Sequence, residues 1–304
     1  MQKIKGLIST VQRYSIKDGP GIRSTVFLIG CNLSCKWCSN PELIGAGTKV
    51  MYIGNRCRQC GACVAIAANN SIEFYENACR IDREKCTNLE ECIEVCPYEA
   101  YEKVGYEITP EELYNKLKRD EVFYTISGGG VTFSGGEPGL QDEFVYETAK
   151  LLRTDGIHVA LDTAGFLEWG RLQKVLDETD LVLYDIKAFN SDIHKKCTGV
   201  GNKVILENAR RIAGLKKPMF IRMVIVPKMN DDIEDIKARL EFIKSLGDAV
   251  KQVDLLKYHK LGLGKYRGLG IEYQLHDIPD CEDSFMAYVK QMAIGYGLKA
   301  TIDG

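Results

Sequence analysis

The chain has 304 residues, 45% of them hydrophobic and 27% charged, with a formal net charge of -2 at pH 7, enough apolar material for one large α/β barrel or two domains. Lysines and arginines are interspersed with acids, so no basic tail or polybasic stripe points to nucleic acid or anionic lipid as a partner. No apolar run reaches the roughly 20 residues of a membrane helix, and Met1 to Thr10 lacks the apolar stretch and cleavage site of a signal peptide; a cytoplasmic protein is expected, whose twelve cysteines speak for metal or cluster ligation rather than disulfides.

The first predicted strand, Ser24 to Ile29, runs into Gly30 and displays Cys31-Asn-Leu-Ser-Cys35-Lys-Trp-Cys38 on a loop at its C-terminal end. Soft thiolates suit an iron-sulfur cluster or zinc. Three cysteines leave one iron of a four-iron cube without a protein ligand, and an open coordination position marks a reactive metal rather than a structural one. Spacing by itself leaves open the alternative of zinc with a distant fourth ligand.

From about Thr48 to Val104 the composition changes. This stretch is cysteine-dense, has only short apolar pieces, and lies between Gly45-Ala46-Gly47 and Gly105. It reads as a small inserted domain that divides the chain into residues 1–47, 48–104 and 105–304. So small a core is marginal by itself, and bound clusters are the kind of staple that makes it fold. Cys57-x2-Cys60-x2-Cys63 and Cys92-x3-Cys96-Pro97 look like halves of a bacterial two-cluster ferredoxin module, where three cysteines of one run share a cluster with the last cysteine of the other. That rule groups Cys57, Cys60, Cys63 and Cys96. The second set is irregular: Ala67 stands where the first run's fourth cysteine belongs, and Leu89 replaces the middle cysteine of the second run. Cys86 and Cys92 remain in register, and Cys79 could restore a third thiolate, with a carboxylate, a solvent molecule or nothing in fourth place. The sequence thus admits one or two auxiliary clusters that deliver electrons; the alternative is a purely structural insert that shapes a docking surface. Cys197 and Cys281 lie outside both groups and read as small core residues.

Beyond the insert, predicted strands at Val131 to Ser134, His158 to Asp162, Leu181 to Ile186, Met219 to Val226 and Val253 to Leu256 alternate with predicted helices. The helices are Pro110 to Arg119, Gln141 to Thr154, Trp169 to Asp177, Ile205 to Leu215 and Asp232 to Leu246, with apolar residues spaced by three and four. The alternation argues for parallel strands joined by right-handed crossovers, a partial or complete β/α barrel of about six units. In such folds the chemistry sits at the C-terminal ends of the strands.

Those ends carry distinctive residues. Ser134-Gly135-Gly136-Glu137-Pro138 closes one strand with glycines that let backbone approach a ligand and leave carbonyls free to accept from an ammonium. The preceding Ser127-Gly-Gly-Gly130 reads equally well as a flexible loop. Asp162-Thr163-Ala-Gly165 closes the next strand and Asp185-Ile186-Lys187 the one after; the acids could bind a cation and the lysine a carboxylate, or the acids could cap helices. Arg222 lies in a later strand, and His259 follows the last one.

The C-x3-C-x2-C spacing with Trp37 before its last cysteine resembles the radical S-adenosylmethionine superfamily. Ser15-Ile-Lys-Asp18-Gly19-Pro20-Gly21-Ile-Arg23, continuing to Cys31, and Trp37-Cys38-Ser39-Asn-Pro41-Glu42 resemble the signature of the glycyl radical enzyme activating enzymes, and the likeness runs along almost the whole chain. It implies a partial (β/α)6-type barrel with an inserted ferredoxin-like α+β domain. It also implies a four-iron cluster on Cys31, Cys35 and Cys38 whose open iron is chelated by S-adenosylmethionine; one electron cleaves a carbon-sulfur bond, and the resulting 5'-deoxyadenosyl radical takes a hydrogen from a glycine of a partner glycyl radical enzyme. By the same resemblance Trp37, Cys38 and Ser39 adjoin the adenine, and Gly135, Gly136 and Glu137 the methionyl amino group. Asp162, Thr163 and Asp185 hold a monovalent cation, the Asp185-Ile186-Lys187 segment contacts the cofactor, and Arg222 and His259 fill late cofactor positions. Asp18 matches a residue near the partner's glycine loop, although an Asp in such a turn also serves the turn itself. The resemblance further implies anaerobic work and a flavodoxin- or ferredoxin-type reductant, and points to a glycerol or diol dehydratase as partner. A radical enzyme acting on a small molecule and a non-catalytic ferredoxin-type electron carrier are the alternatives; the carrier would leave the strand-end motifs idle.

Overall fold

The computed structural model describes residues 3–75 and 78–303. Strands β1 (Gly6–Ser15) and β2 (Arg23–Leu28) pair antiparallel. The insert follows with β3 (Lys49–Tyr52), α1 (Ala62–Ile66), β4 (Ile72–Tyr75), β5 (Ala78–Ile81), α2 (Glu91–Val95) and β6 (Tyr101–Val104). β3 pairs antiparallel with β6, Lys49 opposite Val104, so the insert leaves and rejoins the barrel at neighbouring points. β7 (Tyr106–Ile108) then lies along β1.

The remainder alternates as the sequence predicts: α3 (Pro110–Lys118), α4 (Glu121–Ser127), β8 (Gly130–Gly135), α5 (Asp142–Thr154), β9 (His158–Thr163), α6 (Trp169–Asp177), β10 (Leu181–Asp185), α7 (Ser191–Thr198), α8 (Lys203–Gly214), β11 (Met219–Ile225), α9 (Ile233–Ser245), β12 (Val250–Lys257), α10 (Leu263–Leu269), α11 (Asp283–Gly295) and β13 (Ala300–Ile302). The main sheet has the order β13-β12-β11-β10-β9-β8-β2-β1-β7. β2 and β8 to β13 run parallel. The six expected strands are β2 and β8 to β12; β1, β7 and β13 extend the sheet on either side. The sheet's two ends do not pair with each other among the described residues, which makes the barrel partial.

Helices cover the outside through apolar stripes. α5 buries Phe144, Val145, Thr148, Ala149 and Leu152, the three-and-four spacing of one helix face. α3 starts on a capping box between Thr109 and Glu112 with Pro110 in the first turn, which satisfies backbone donors that the helix leaves unpaired. Gly129 and Gly130 belong to tight packing rather than to a flexible loop: a Cβ on Gly129 would lie 1.9 Å from the Ile22 carbonyl oxygen, and one on Gly130 would lie 2.0 Å from that of His158. The barrel core and the insert's core are separate clusters with no shared residue. Among the described residues no helix is long and apolar enough to cross a membrane.

Candidate active site

β2 delivers the three-cysteine loop, and several distant elements hold that loop in place. The Ser34 N–H donates to the Thr198 carbonyl (2.9 Å) and the Lys36 N–H to that of Cys197 (3.0 Å), so the C-terminal end of α7 supports the loop. Trp37 packs with Cys197, Tyr258 and Tyr266 in a second apolar cluster. On the other flank Lys265 of α10 donates to Asn40 Oδ1 (2.6 Å) and Glu42 Oε1 (2.5 Å). Burial pushes the thiols of Cys31 and Cys38 up to about 11 and that of Cys35 to about 12. Thiolates in that setting require a cation or metal to hold their charge.

All three thiols face one cleft of about 940 Å³, counted to its open mouth. Its walls also include Trp37, Ser39, Ser134, Gly135, Gly136, Asp162, Thr163, Asp185, Lys187 and His259. The strand-end motifs therefore converge, as a C-terminal rim requires. The two glycines act on packing as well as on access. Gly135 has φ +103°, and a Cβ on Gly136 would stand 2.0 Å from the Gly30 carbonyl oxygen, so the end of β8 lies directly against the cysteine loop. The Glu137 N–H donates to that same oxygen at 2.6 Å.

The charged groups form two pairs. Lys187 Nζ donates to Asp185 Oδ2 at 2.6 Å; burial would lower the Lys187 ammonium, but the acidic groups around it, Asp185 first, outweigh burial and hold it above its ordinary value. Arg222 Nη1 lies 2.9 Å from Asp162 Oδ2, and Ser134 Oγ donates to that oxygen at 2.6 Å. Asp162 raises the Arg222 guanidinium, while burial raises the Asp162 carboxyl despite Arg222.

Four residues expected at the site stand behind the cleft wall. Glu137 is 1% exposed and braces the next strand end, accepting from Thr163 Oγ (2.7 Å), the Ala164 N–H (3.0 Å) and the Gly139 N–H (3.3 Å). Burial lifts its carboxyl to about 7 against these donors. Ile186 is buried, its N–H donating to the Arg222 carbonyl at 3.0 Å. Asp18 accepts from Ser15 Oγ (2.5 Å) and Thr25 Oγ (2.7 Å), and its other oxygen lies 3.9 Å from Arg222 Nη2. Asp18, Arg222 and Asp162 thus form a line from the Asp-Gly-Pro-Gly turn to the cleft. Val224, Leu256, Lys257 and Tyr258 line the cleft without a sequence motif to announce them, since each is an ordinary strand or strand-end residue.

Residues 25–243 match the family described as the Radical SAM superfamily. The chain belongs to that superfamily. Within it the chain is 36% identical to the (2S)-3-sulfopropanediol dehydratase activating enzyme of Klebsiella oxytoca over 298 residues, 96% of this chain and 94% of that one. It is also 36% identical to the trans-4-hydroxy-L-proline dehydratase activating enzyme of Clostridioides difficile, over 98% and 99% of the two chains. It is therefore a radical SAM enzyme of the glycyl radical enzyme activating family. A solved domain of pyruvate-formate lyase-activating enzyme from Bacteroides vulgatus superposes with a TM-score of 0.50 at 33% identity, covering 58% of this chain and all of that one. A radical SAM methyltransferase from Sphaerobacter thermophilus, at a TM-score of 0.54 and 12% identity over 97% of this chain and 76% of its own, shares the fold.

In this activating enzyme the insert's cysteines gather around one small core. Cys63, Cys86 and Cys92 are buried, Cys57, Cys79 and Cys96 pack against them, and Cys60 is exposed. Cys57 Sγ accepts from the Gln59 N–H and Cys96 Sγ from the Ala100 N–H, both at 3.4 Å. Among the described residues no group of three or more His, Cys, Asp or Glu side chains stands close enough to hold a single metal ion. Thiolates on the corners of a four-iron cube stand farther apart than the ~3.8 Å that four Zn–S bonds of about 2.3 Å impose. Cys197 and Cys281 are buried core residues.

Proposed function

We propose that this activating enzyme holds a four-iron cluster on Cys31, Cys35 and Cys38 and S-adenosylmethionine in the adjoining cleft, and that it takes a hydrogen from a glycine of a partner protein. The observation that carries the reading is the convergence of three thiols and three strand-end motifs on one open cleft. When bound, such a cluster and cofactor supply one-electron cleavage of a carbon-sulfur bond, with methionine released and the glycine's hydrogen ending on 5'-deoxyadenosine.

The chain's own residues bind and orient. The carbonyls around Gly135 and Gly136 accept from the cofactor's ammonium, Lys187 offers its charge to the carboxylate, and Trp37, Ser39 and His259 border the nucleoside. Glu137 and Arg222 act through Thr163 and Asp162, as positioning residues. A monovalent cation would find Asp162 and Asp185 already paired with Arg222 and Lys187, so it would use their remaining oxygens and Thr163. In the insert, Cys57, Cys60, Cys63 and Cys96 hold an auxiliary cluster that relays the electron from a flavodoxin- or ferredoxin-type reductant, in the cytoplasm and without oxygen.

The partner we favour is a glycyl radical dehydratase of glycerol or a small diol. The relatives that activate a sulfopropanediol dehydratase, a choline trimethylamine-lyase and a hydroxyproline dehydratase are 36%, 35% and 36% identical, so overall identity does not choose among partner types. The test mixes reduced, iron-loaded enzyme and S-adenosylmethionine with candidate partners and records electron paramagnetic resonance. A glycine-centred doublet is expected, and it should vanish together with cofactor cleavage in Cys35→Ala. Cofactor cleavage without a doublet on any partner would favour a small-molecule substrate instead. Equal cleavage by Cys35→Ala and wild type would overturn the ligand assignment.

A further inference from the structure

The region where a second auxiliary cluster would sit lies between Ala67 and the run from Cys86 to Cys92. Two of its four ligand positions are Ala67 and Leu89, and the structure fills the gap with protein. Asn88 reaches across it: Nδ2 donates to the Ile66 carbonyl at 3.0 Å, and Oδ1 accepts from the Ala68 N–H at 2.9 Å. One side-chain amide thereby satisfies the backbone groups on both sides of Ala67. Cys86 Sγ turns towards the same Asn88 oxygen at 3.9 Å. Glu91, which could offer a carboxylate, is engaged by Asn88 Nδ2 at 2.9 Å.

Around this clasp Ile66, Ala67, Leu89 and Ile93 pack with Cys86 and Cys92 in the insert's apolar core, and Cys92 has no exposed surface. Cys79 is turned to an aromatic neighbour, its sulfur 3.8 Å from the Tyr101 hydroxyl. Two cysteine sulfurs in an apolar core, with their neighbouring polar groups already satisfied, fall short of the four ligands a cube takes.

We propose that the Cys86–Cys92 half of the insert is a metal-free core clasped by Asn88, so that the insert carries a single cluster. The siting of that cluster at Cys57, Cys60, Cys63 and Cys96 rests on the function proposed above. Electrons then pass through one relay before the Cys31 cluster.

The test is iron and acid-labile sulfide per full-length chain after anaerobic reconstitution. With four irons per cube, about eight are expected, and about twelve would overturn the proposal. The Cys86→Ser/Cys92→Ser double variant should keep its iron, whereas Cys60→Ala should lose about four. Loss of about four irons from the double variant would overturn the proposal whatever the wild-type total. If the double variant does not fold, the wild-type count decides alone. A wild-type total of about four would uphold the metal-free half and overturn the Cys57 siting instead.

Discussion

Glu137 shows how a residue can matter to the site without touching what the site binds. Its carboxyl is buried, accepts three hydrogen bonds, and is lifted from 4.5 to about 7 because desolvation outweighs those donors. A carboxyl raised in the folded state binds its proton there at pH values where the unfolded chain has released it. Its contribution is therefore largest below about 4.5 and declines as pH rises through about 7, by about 3 kcal/mol in all. Glu137→Gln removes this titration. The stability of wild type relative to Glu137→Gln should accordingly fall between pH 4.5 and 7.5, read from urea unfolding at several pH values. A difference that stays flat across that range would show that the carboxyl titrates normally.

At the scale of elements, the decisive contact is the one between the end of β8 and the cysteine loop. A Cβ on Gly136 would meet a backbone carbonyl at 2.0 Å, and neither backbone can swing away as a flexible side chain could. Gly136→Ala should cost about 2 kcal/mol or more and reduce iron loading on the Cys31 loop. Gly170 in α6 is the contrast: an added Cβ meets nothing within 4 Å. Gly170→Ala should gain roughly 0.5 kcal/mol from lower unfolded-state entropy and better helix propensity. Denaturant unfolding and iron content of the two variants check both statements; a Gly136→Ala protein as stable and as iron-rich as wild type would refute the packing argument.

For the whole molecule, the separation of the two cores makes the insert removable in principle. None of the residues in the barrel clusters falls within 49–104, and the insert's cluster lies entirely inside that range. β3 and β6 pair side by side where the insert joins the barrel, so a short link spans the gap. What would be lost is support for α10, where Arg83 donates to the Gly268 carbonyl at 2.6 Å, and for the turn after the cysteine loop, where Lys49 donates to the Glu42 carbonyl at 2.8 Å. A chain with residues 49–104 replaced by a short glycine linker should unfold in one cooperative transition and load about four irons. Failure to fold, or to hold any iron, would mean that the insert belongs to the barrel's folding unit.

Features that depend on local spacing were legible along the chain: the three thiols after β2, the glycine and acid motifs at the strand ends, and the alternation that makes β2 and β8 to β12 one parallel sheet. Each is a pattern within a dozen residues, set by the pleat, the helical turn or the geometry of a metal's ligands. Tertiary structure decided the rest. β1, β7 and β13 join the sheet as flanking strands whose alternation is weak because they are partly exposed. Lys265 braces Asn40 across 225 positions of chain, and Arg222 pairs with Asp162 from another strand. Glu137 stands behind the wall although its motif promised a place in front of it. Asn88 closes the space where two cysteines are missing. Contacts between residues far apart in the chain leave no periodicity, and whether a polar group meets a ligand or another side chain is settled only when the strands are side by side.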